Sequence, residues 1–392
     1  MQPLPDIICV STNHWTGLPT SKQHLMSLLS RRVRVLYVDP PIDVFSALGR
    51  RRRWSKFRGL RKVANGLWVL SPLLVDNRSS RREAALRRLI RVIAGAADRL
   101  AIRRPVLWTF DPEHAVFVGT LGERLAVYQA ADDPAAFSGD PAATAEGERR
   151  HIEAVDLVFA ASELLTSERA WSGKARRLAN AADASHFGRV LEWSGEAAPE
   201  DVLAAVRRAG PRPHDLPTDA PIVLYGGAAY EWFDEDLLAA VAERRPELRF
   251  VLVGPVCRRV ASRRLPRNVL MLGRRSYDVF PRYVAAADCA VIPWRRGVFS
   301  EHADPIVLYE LLLCGLPVVA TPFPAARERG QLVRTADEVG AFAASLDAAL
   351  ERDGVREAVE RIAFGLENTW EDRAQEAAYV IEALLEKREY RS

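Results

Sequence analysis

The chain has 392 residues, is 48% apolar and carries a net charge of only +4, which suits a sizeable core split over two domains. Four widely spaced cysteines (Cys9, Cys257, Cys289, Cys314) form no zinc or redox motif, so buried thiols in a reducing compartment are expected rather than a disulfide framework. The amino terminus, MQPLPDIICVSTNHW, lacks the pattern of a signal peptide, and no apolar run approaches the length of a membrane span; a cytoplasmic location is the expectation.

Charge is unevenly placed. Residues 1–104 hold 21 Lys/Arg against 6 Asp/Glu, a local +15 that leaves −11 for the rest. Basic density peaks in RRRRWSKFRGLRK, from Arg50 to Lys62, where Trp54 and Phe57 interrupt the cations. Two readings stand: a solvated loop, or peripheral contact with the inner face of an anionic membrane or with a lipid-linked substrate. No recognition motif accompanies the charge, so nucleic acid is not expected as a partner.

Along the first half, short apolar runs predict strands at residues 7–10, 33–38, 67–70, 106–109, 125–128 and 157–160, with helices at 21–30 and 81–100 among them. A looser stretch around 188–219 is rich in Gly and Pro and reads as a connection holding one helix at 201–208. The alternation then restarts. Strands are predicted at 222–225, 249–253, 269–272, 289–292 and 317–320, with helices at 234–244, 277–286 and 306–314, and a final amphipathic helix from about Thr369. The expected fold is α/β, two Rossmann-like domains facing across a cleft: a first domain at 1–190, a linker at 191–219, a second domain at 220–368 and a carboxyl-terminal helix at 369–392. Ligands of such sheets bind beyond the carboxyl ends of the strands.

The stretch HADPIVLYELLLCGLPVVATPFP, residues 302–324, holds an oddity. It predicts a helix starting at Pro305, capped by Asp304 and stopped at Gly315, yet a carboxylate, Glu310, stands among Leu308, Tyr309, Leu311, Leu312 and Leu313. The start of such a helix seats phosphate, and Glu310 lies about 7 to 8 Å further along the axis, similar to the offset between a diphosphate and its ribose. Ile306 shares its face. A core glutamate paired with an arginine is the competing reading.

Candidate acid–base residues follow predicted strand ends: Asp132 and Asp133 after one strand, Asp111 and His114 after another. Each is equally a turn cap. Asp234-Glu235-Asp236 contains a DxD pattern but opens a helix, where carboxylates meet the dipole, so no metal ligand is expected there. His151 and His214 form no local metal motif, and no Walker A loop, GxGxxG fingerprint or nucleophile elbow is present.

The run DPIVLYELLLCGLPVVAT resembles the donor-site signature of GT-B glycosyltransferases of the family 4, group 1 type. IVLYGGAAYEWFDEDLL, FVLVGP, NVLMLGRRSYDVFPRYVAAADCAVIPW and TWEDRA follow in that family's order. In the first half STNHWTGLPTSKQHLMSLLS, RVLYVDPP, VYQAADDPAAF, DLVFAASELL and NAADASHFG are similar to a subgroup that includes the teichuronic acid glycosyltransferases. The resemblance implies a GT-B fold and places Glu310 on the donor ribose, with Asp304, Pro305, Ile306 and Val307 at the diphosphate and sugar. It also implies that Gly226 and Gly227 admit phosphate, that Gly273, Arg274 and Tyr277 lie at the base, and that Trp15, Gly17, Thr20, Ser21, Lys22 and His24 face the acceptor.

Three departures stand out. The wider family's second glutamate, eight positions before Glu310, is His302 here, with Glu301 beside it. The subgroup's usual lysine is Val307, and the arginine and lysine after the first donor-domain strand are missing from GGAAYEWFDED; Arg274, Arg295 and Arg296 are the candidates to take over their charge. The resemblance implies a hexosyltransferase-type enzyme (EC 2.4) moving sugar from a nucleotide-sugar donor to an acceptor hydroxyl on a polysaccharide, lipid-linked glycan or natural product. Retention of anomeric configuration, no metal and no cofactor beyond the nucleotide-sugar co-substrate are expected. A non-catalytic GT-B scaffold or partner subunit is the alternative, and a nucleotide-sugar epimerase a further one.

Overall fold

Apolar runs of four or five residues, buried at every position, are what parallel strands covered on both faces require. IICV (Ile7–Val10), VLWT (Val106–Thr109) and LVFA (Leu157–Ala160) are buried throughout. The computed structural model describes residues 3–43, 59–74, 82–194, 197–352 and 354–390; most of the basic run, 50–58, lies outside them. It divides into two compact units, residues 1–179 with 373–392, and residues 180–372.

In the first unit the strands are β1 (Ile7–Val10), β2 (Val35–Val38), β3 (Ile42–Asp43), β4 (Gly59–Ala64), β5 (Leu67–Ser71), β6 (Leu73–Leu74), β7 (Val106–Thr109), β8 (Leu125–Ala130), β9 (Leu157–Ala160) and β10 (Ala175–Arg177). Eight form one sheet in the order β10-β9-β8-β7-β1-β2-β5-β4, while β3 pairs only with β6. All neighbours in the large sheet are parallel except β4, which runs antiparallel to β5 across an Asn65-Gly66 turn. That edge strand, not predicted above, takes up Gly59, Leu60, Arg61 and Lys62, the end of the basic run. The helices that position the site here are α1 (Ser21–Leu29), α2 (Arg82–Arg99) and α3 (Pro141–Ala154). Leu89, Ile93 and Ala97 of α2 cover Ile8, Leu36 and Leu107, one face of the sheet.

The second unit opens with α4 (Ala184–Leu191) and α5 (Pro199–Arg208). Its sheet is wholly parallel, in the order β13-β12-β11-β14-β15-β16, from β11 (Ile222–Gly226), β12 (Arg249–Val253), β13 (Val269–Gly273), β14 (Cys289–Ile292), β15 (Val318–Ala320) and β16 (Val333–Thr335). Its longer helices are α6 (Glu235–Arg244), α7 (Ile306–Leu313), α8 (Val339–Arg352) and α9 (Val355–Leu366). The two-residue period of a strand separates two cores. Leu224, Val251, Ile292 and Val318 pack with α7 and α9, while Val223, Phe250, Val291 and Val319 pack with α6 and α8.

The division falls between Ala179 and Asn180, so the stretch read as a linker, 191–219, folds with the second unit. Its helix supplies buried Val202, Leu203 and Val206 to that unit's core, which is why apolar residues recur among the Gly and Pro. The last helix, α10 (Trp370–Glu389), begins in the second unit and continues in the first. Asp372 accepts from the Thr369 N–H at 3.0 Å and from its hydroxyl, fixing where that helix starts. Among the described residues no helix is long and apolar enough to cross a membrane.

Candidate functional site

Three neighbouring strands of the second sheet end on glycine. β11 runs into Gly226 and Gly227, β12 into Gly254, and β13 closes on Gly273. A Cβ on Gly226 would lie 2.6 Å from Cζ of Phe280 and 3.3 Å from Cγ2 of Val307, so the strand end is held against the start of α7. Gly254 has φ +152°, and a Cβ there would lie 1.8 Å from the Gly227 carbonyl oxygen. Backbone packed against backbone leaves no room for any side chain. Gly254 was not among the sequence candidates; its place directly after an apolar strand was the available signal.

Helix α7 begins at Ile306, with Pro305 as its cap residue in extended backbone and no side chain capping the first turn. Asp304 does not serve as the cap the sequence suggested. Its carboxylate accepts instead from the Asn180 N–H at 2.8 Å and from the Tyr309 hydroxyl at 3.0 Å, with the Arg329 guanidinium 3.6 Å away. No side chain caps the first turn of α7, so the N–H groups of Ile306 and Val307 have no side-chain acceptor among the described residues, while that of Leu308 donates to the Pro305 carbonyl at 3.0 Å. Gly315, in the left-handed conformation at φ +69°, stops the helix as expected. Arg361 donates to the Gly315 carbonyl at 3.0 and 2.8 Å, placing a cation at the negative end of the helix dipole.

Glu310 is 4% exposed. Its partner is not an arginine: the Tyr277 hydroxyl donates to Oε1, and no cation lies within ion-pair distance among the described residues. Burial pushes its carboxyl up to about 8, with Tyr277 pulling it down and Asp183 adding to the rise. Tyr277 is itself fixed by stacking on His186, ring centroids 4.4 Å apart and 13° from parallel. Arg189 donates to His186 Nδ1 at 3.0 Å, leaving Nε2 to donate to the Tyr277 carbonyl at 3.0 Å. Asp183 caps α4 by accepting from the His186 N–H. His186 and Asp183 were missed because their link to Glu310 runs through a residue about ninety positions away.

The cations named for phosphate fare differently. Arg295 is held at 3.2 and 3.1 Å by Glu235 and Asp236, and Arg296 pairs with Asp337. Arg274 is exposed and enters no ion pair among the described residues. Asp234 caps α6 by accepting from the Leu237 N–H at 3.0 Å. Glu235 and Asp236 each pair with arginine, so the DxD carboxylates are committed. His302 is buried, its Nδ1 2.7 Å from the Val298 carbonyl oxygen.

In the first unit Lys22, Asp111 and Asp132 line one cavity at the carboxyl ends of β1, β7 and β8. Burial pulls the Lys22 ammonium below its usual range, opposed by Asp132, and the same crowding of protein atoms lifts Asp132 although its carboxyl opens to the cavity. Asp133 is outside that wall and caps a turn by accepting from the Ala135 N–H at 3.1 Å; Asp111 caps another through the Glu113 N–H at 2.8 Å. His114 sits behind, its Nδ1 accepting from the Phe110 N–H, and burial lowers it to about 4, so the ring is neutral at physiological pH. Of the remaining candidates, Trp15 donates its N–H to buried Asp39 at 2.7 Å, Gly17 turns the loop by donating to the His14 carbonyl at 2.9 Å, and Gln23 accepts from Thr20. Ser21 and His24 are buried along α1. Asp39 itself was missed; the Ser71 hydroxyl donates to it at 2.6 Å, and it anchors the loop that leads to Lys22.

Residues 222–352 match the sequence profile of the family described as "Glycosyl transferases group 1". The second unit is a group 1 glycosyltransferase domain. A 96-residue stretch is 28% identical to the teichuronic acid biosynthesis glycosyltransferase TuaH of Bacillus subtilis (strain 168); it spans 24% of this chain and 24% of that relative. Over the whole chain the structure is similar to Anabaena Alr3699/HepE solved with UDP and glucose, at TM-score 0.62 and 15% identity, covering 96% of this chain and 99% of that one. It is also similar to an E. coli trehalose-6-phosphate protein bound with UDP-2-fluoro glucose, at TM-score 0.65 and 13% identity, covering 97% and 99%. The whole chain therefore has the GT-B fold. Within the group 1 domain, the glycine-ended strands, the uncapped start of α7 and Glu310 all lie inside the matched residues, whereas Asp183 and His186 precede them.

Proposed function

We propose that the protein is a glycosyltransferase that takes a sugar from a uridine-diphosphate donor and gives it to an acceptor hydroxyl. The observation that carries this reading is Glu310, a buried carboxyl with a tyrosine hydroxyl for a partner and no cation. A purely structural glutamate at this depth gains most from an arginine, and the fold does not give it one. Ribose hydroxyls would supply the missing donors, with the diphosphate on the free N–H groups of α7 and against Gly226-Gly227. The UDP of the HepE neighbour supports the choice of base. Hexosyl transfer with retention, without metal or other cofactor, completes the proposal. Leaving-group charge is then held by backbone dipoles and Arg274, an electrostatic role. Asp132, Asp111 and His114 are the proposed acid–base candidates on the acceptor side, and Asp133 the weakest of the four because its carboxylate both caps a turn and lies outside the cavity wall.

The deciding experiment is a thermal-shift screen of the full chain against UDP, GDP, dTDP and CMP and their sugars. Binding to the folded state raises Tm with occupancy. A shift confined to UDP and UDP-sugars is the expected result. Silence toward every nucleotide favours the scaffold reading, to which Val307 and the ion-paired Arg295 and Arg296 lend weight.

A further inference from the structure

A cavity of about 830 Å³ lies within the first unit, in the size range of small-molecule sites. Its walls come from the ends of β1, β7 and β8 and from α1 and α3. Its lining is acidic on balance. Asp111, Glu113, Asp132 and Asp140 stand against two cations, Lys22 and Arg150, so carboxylates are in excess on the wall.

Two of these groups reach the cavity with no protein hydrogen bond among the described residues. Lys22 is 8% exposed, and its ammonium lies 4.9 Å from the centre of the Phe110 ring with no hydrogen bond or ion pair among the described residues. Asp132 likewise has none there, whereas Asp111 and Asp140 spend an oxygen each on capping backbone N–H groups. The Lys22 ammonium reaches the cavity from a largely buried side chain, and a charge-assisted hydrogen bond from it to a ligand oxygen there is stronger than one between neutral groups. The wall also presents Phe137, 55% exposed, beside Phe110.

We propose that this cavity seats an uncharged sugar unit of the acceptor, and that it rejects a phosphate in the same place. A sugar hydroxyl both donates and accepts, so one ligand serves Asp132 and Lys22 together, while its C–H face covers the Phe137 ring. Phosphate only accepts: it satisfies Lys22 but meets an excess of carboxylates at short range. This inference rests on the transferase reading and narrows it, favouring a glycan end over a lipid phosphate as the group recognised.

The test uses the full chain and saturation-transfer NMR with titration. The probes are methyl glucoside, methyl galactoside, methyl mannoside and the corresponding hexose 1-phosphates, with UDP titrated separately on the same samples. We expect at least one methyl glycoside to bind saturably, at least tenfold tighter than its hexose 1-phosphate. Phe137→Ala and Asp132→Asn, both at exposed positions, should each weaken it at least fivefold. Tighter binding of the hexose 1-phosphates, or glycoside binding untouched by both variants, overturns the proposal. Absence of glycoside binding while UDP still binds overturns it alone; absence of both takes the transferase reading down as well.

Discussion

The Tyr277 hydroxyl donates to Oε1 of Glu310, joining the 3₁₀ turn after β13 to the middle of α7. The bond gives a buried carboxyl one donor where its oxygens have capacity for several. On the proposed donor-site reading, ribose hydroxyls use the remaining capacity. Glu310→Gln keeps the shape and the hydrogen bond from Tyr277 but can never become a carboxylate. It should leave the fold intact and weaken UDP binding by about 1 to 3 kcal/mol, read by calorimetry. Equal affinities would remove Glu310 from the donor site.

Glu310 also sets a pH dependence. Burial raises its carboxyl from 4.5 to about 8, so the folded chain holds a proton that the unfolded chain has released. Stability therefore falls as pH rises through that window and levels above it; below 4.5 both states are protonated and no penalty remains. Glu310→Gln cannot titrate. Its Tm should gain on the parent steadily from pH 5 to pH 8, and parallel Tm curves for the two proteins would argue against a buried proton. If ribose takes the carboxylate form, UDP binding at pH 7 releases protons, and the heat of binding changes with buffer ionisation enthalpy.

Strand and helix positions were legible because the inner strands of both sheets are parallel and buried, giving unbroken apolar runs such as Ile7–Val10 and Cys289–Ile292. The edge strands β4, β10 and β16 were not legible, since they carry polar residues such as Arg61, Lys62 and Arg334. At the candidate site Glu310 was legible as a charge out of place. Its pairing with Tyr277 was not, although Tyr277 was named for the base, because Tyr277 reaches it from an element distant in sequence and is backed there by His186. Asp304 was misread as a cap for the same reason: Asn180, Tyr309 and Arg329 claim its carboxylate first.

Gly226 should tolerate no side chain without a concession from Phe280, whose Cζ would be 2.6 Å from the new Cβ. Gly226→Ala should cost about 1 to 3 kcal/mol by overpacking. The obstructing atom is the tip of a side chain, so Phe280→Leu in the same chain should recover much of the loss. Urea unfolding of the single and double variants measures both. An additive double variant would mean that the clash lies elsewhere.

The basic run ends in β4, where the Lys62 ammonium sits 5.7 Å from the centre of the Trp68 ring. If the arginines at 50–53 contact a membrane, the chain should pellet with anionic vesicles at low salt and be released as screening rises. Serine at those four positions should abolish pelleting while leaving UDP affinity unchanged. Failure of the unaltered chain to pellet refutes the contact.

Asp304 offers the sharpest test of the packing behind α7. Its carboxylate and the Arg329 guanidinium are 1% and 9% exposed, and Tyr309 stands between them, donating to Asp304 and accepting from Arg329 at 2.6 Å. Arg329 also lies over the rings of Tyr309 and Phe364, 5.0 Å from each centre, which fixes it in place. Asp304→Ala leaves that guanidinium with only the Glu328 carboxylate, 3.5 Å away, and strips the Asn180 N–H of its acceptor, a loss of about 3 kcal/mol, the lower end for breaking a buried pair. Asp304→Asn keeps acceptors for Asn180 and Tyr309 and should lose distinctly less. Removing both charges in Asp304→Asn/Arg329→Met should be milder than the sum of the two single changes, because no orphaned ion remains. Equilibrium unfolding in urea reads all four proteins. Strict additivity would show that Asp304 and Arg329 act independently, and that Asn180 and Tyr309 alone hold Asp304 at the foot of the helix.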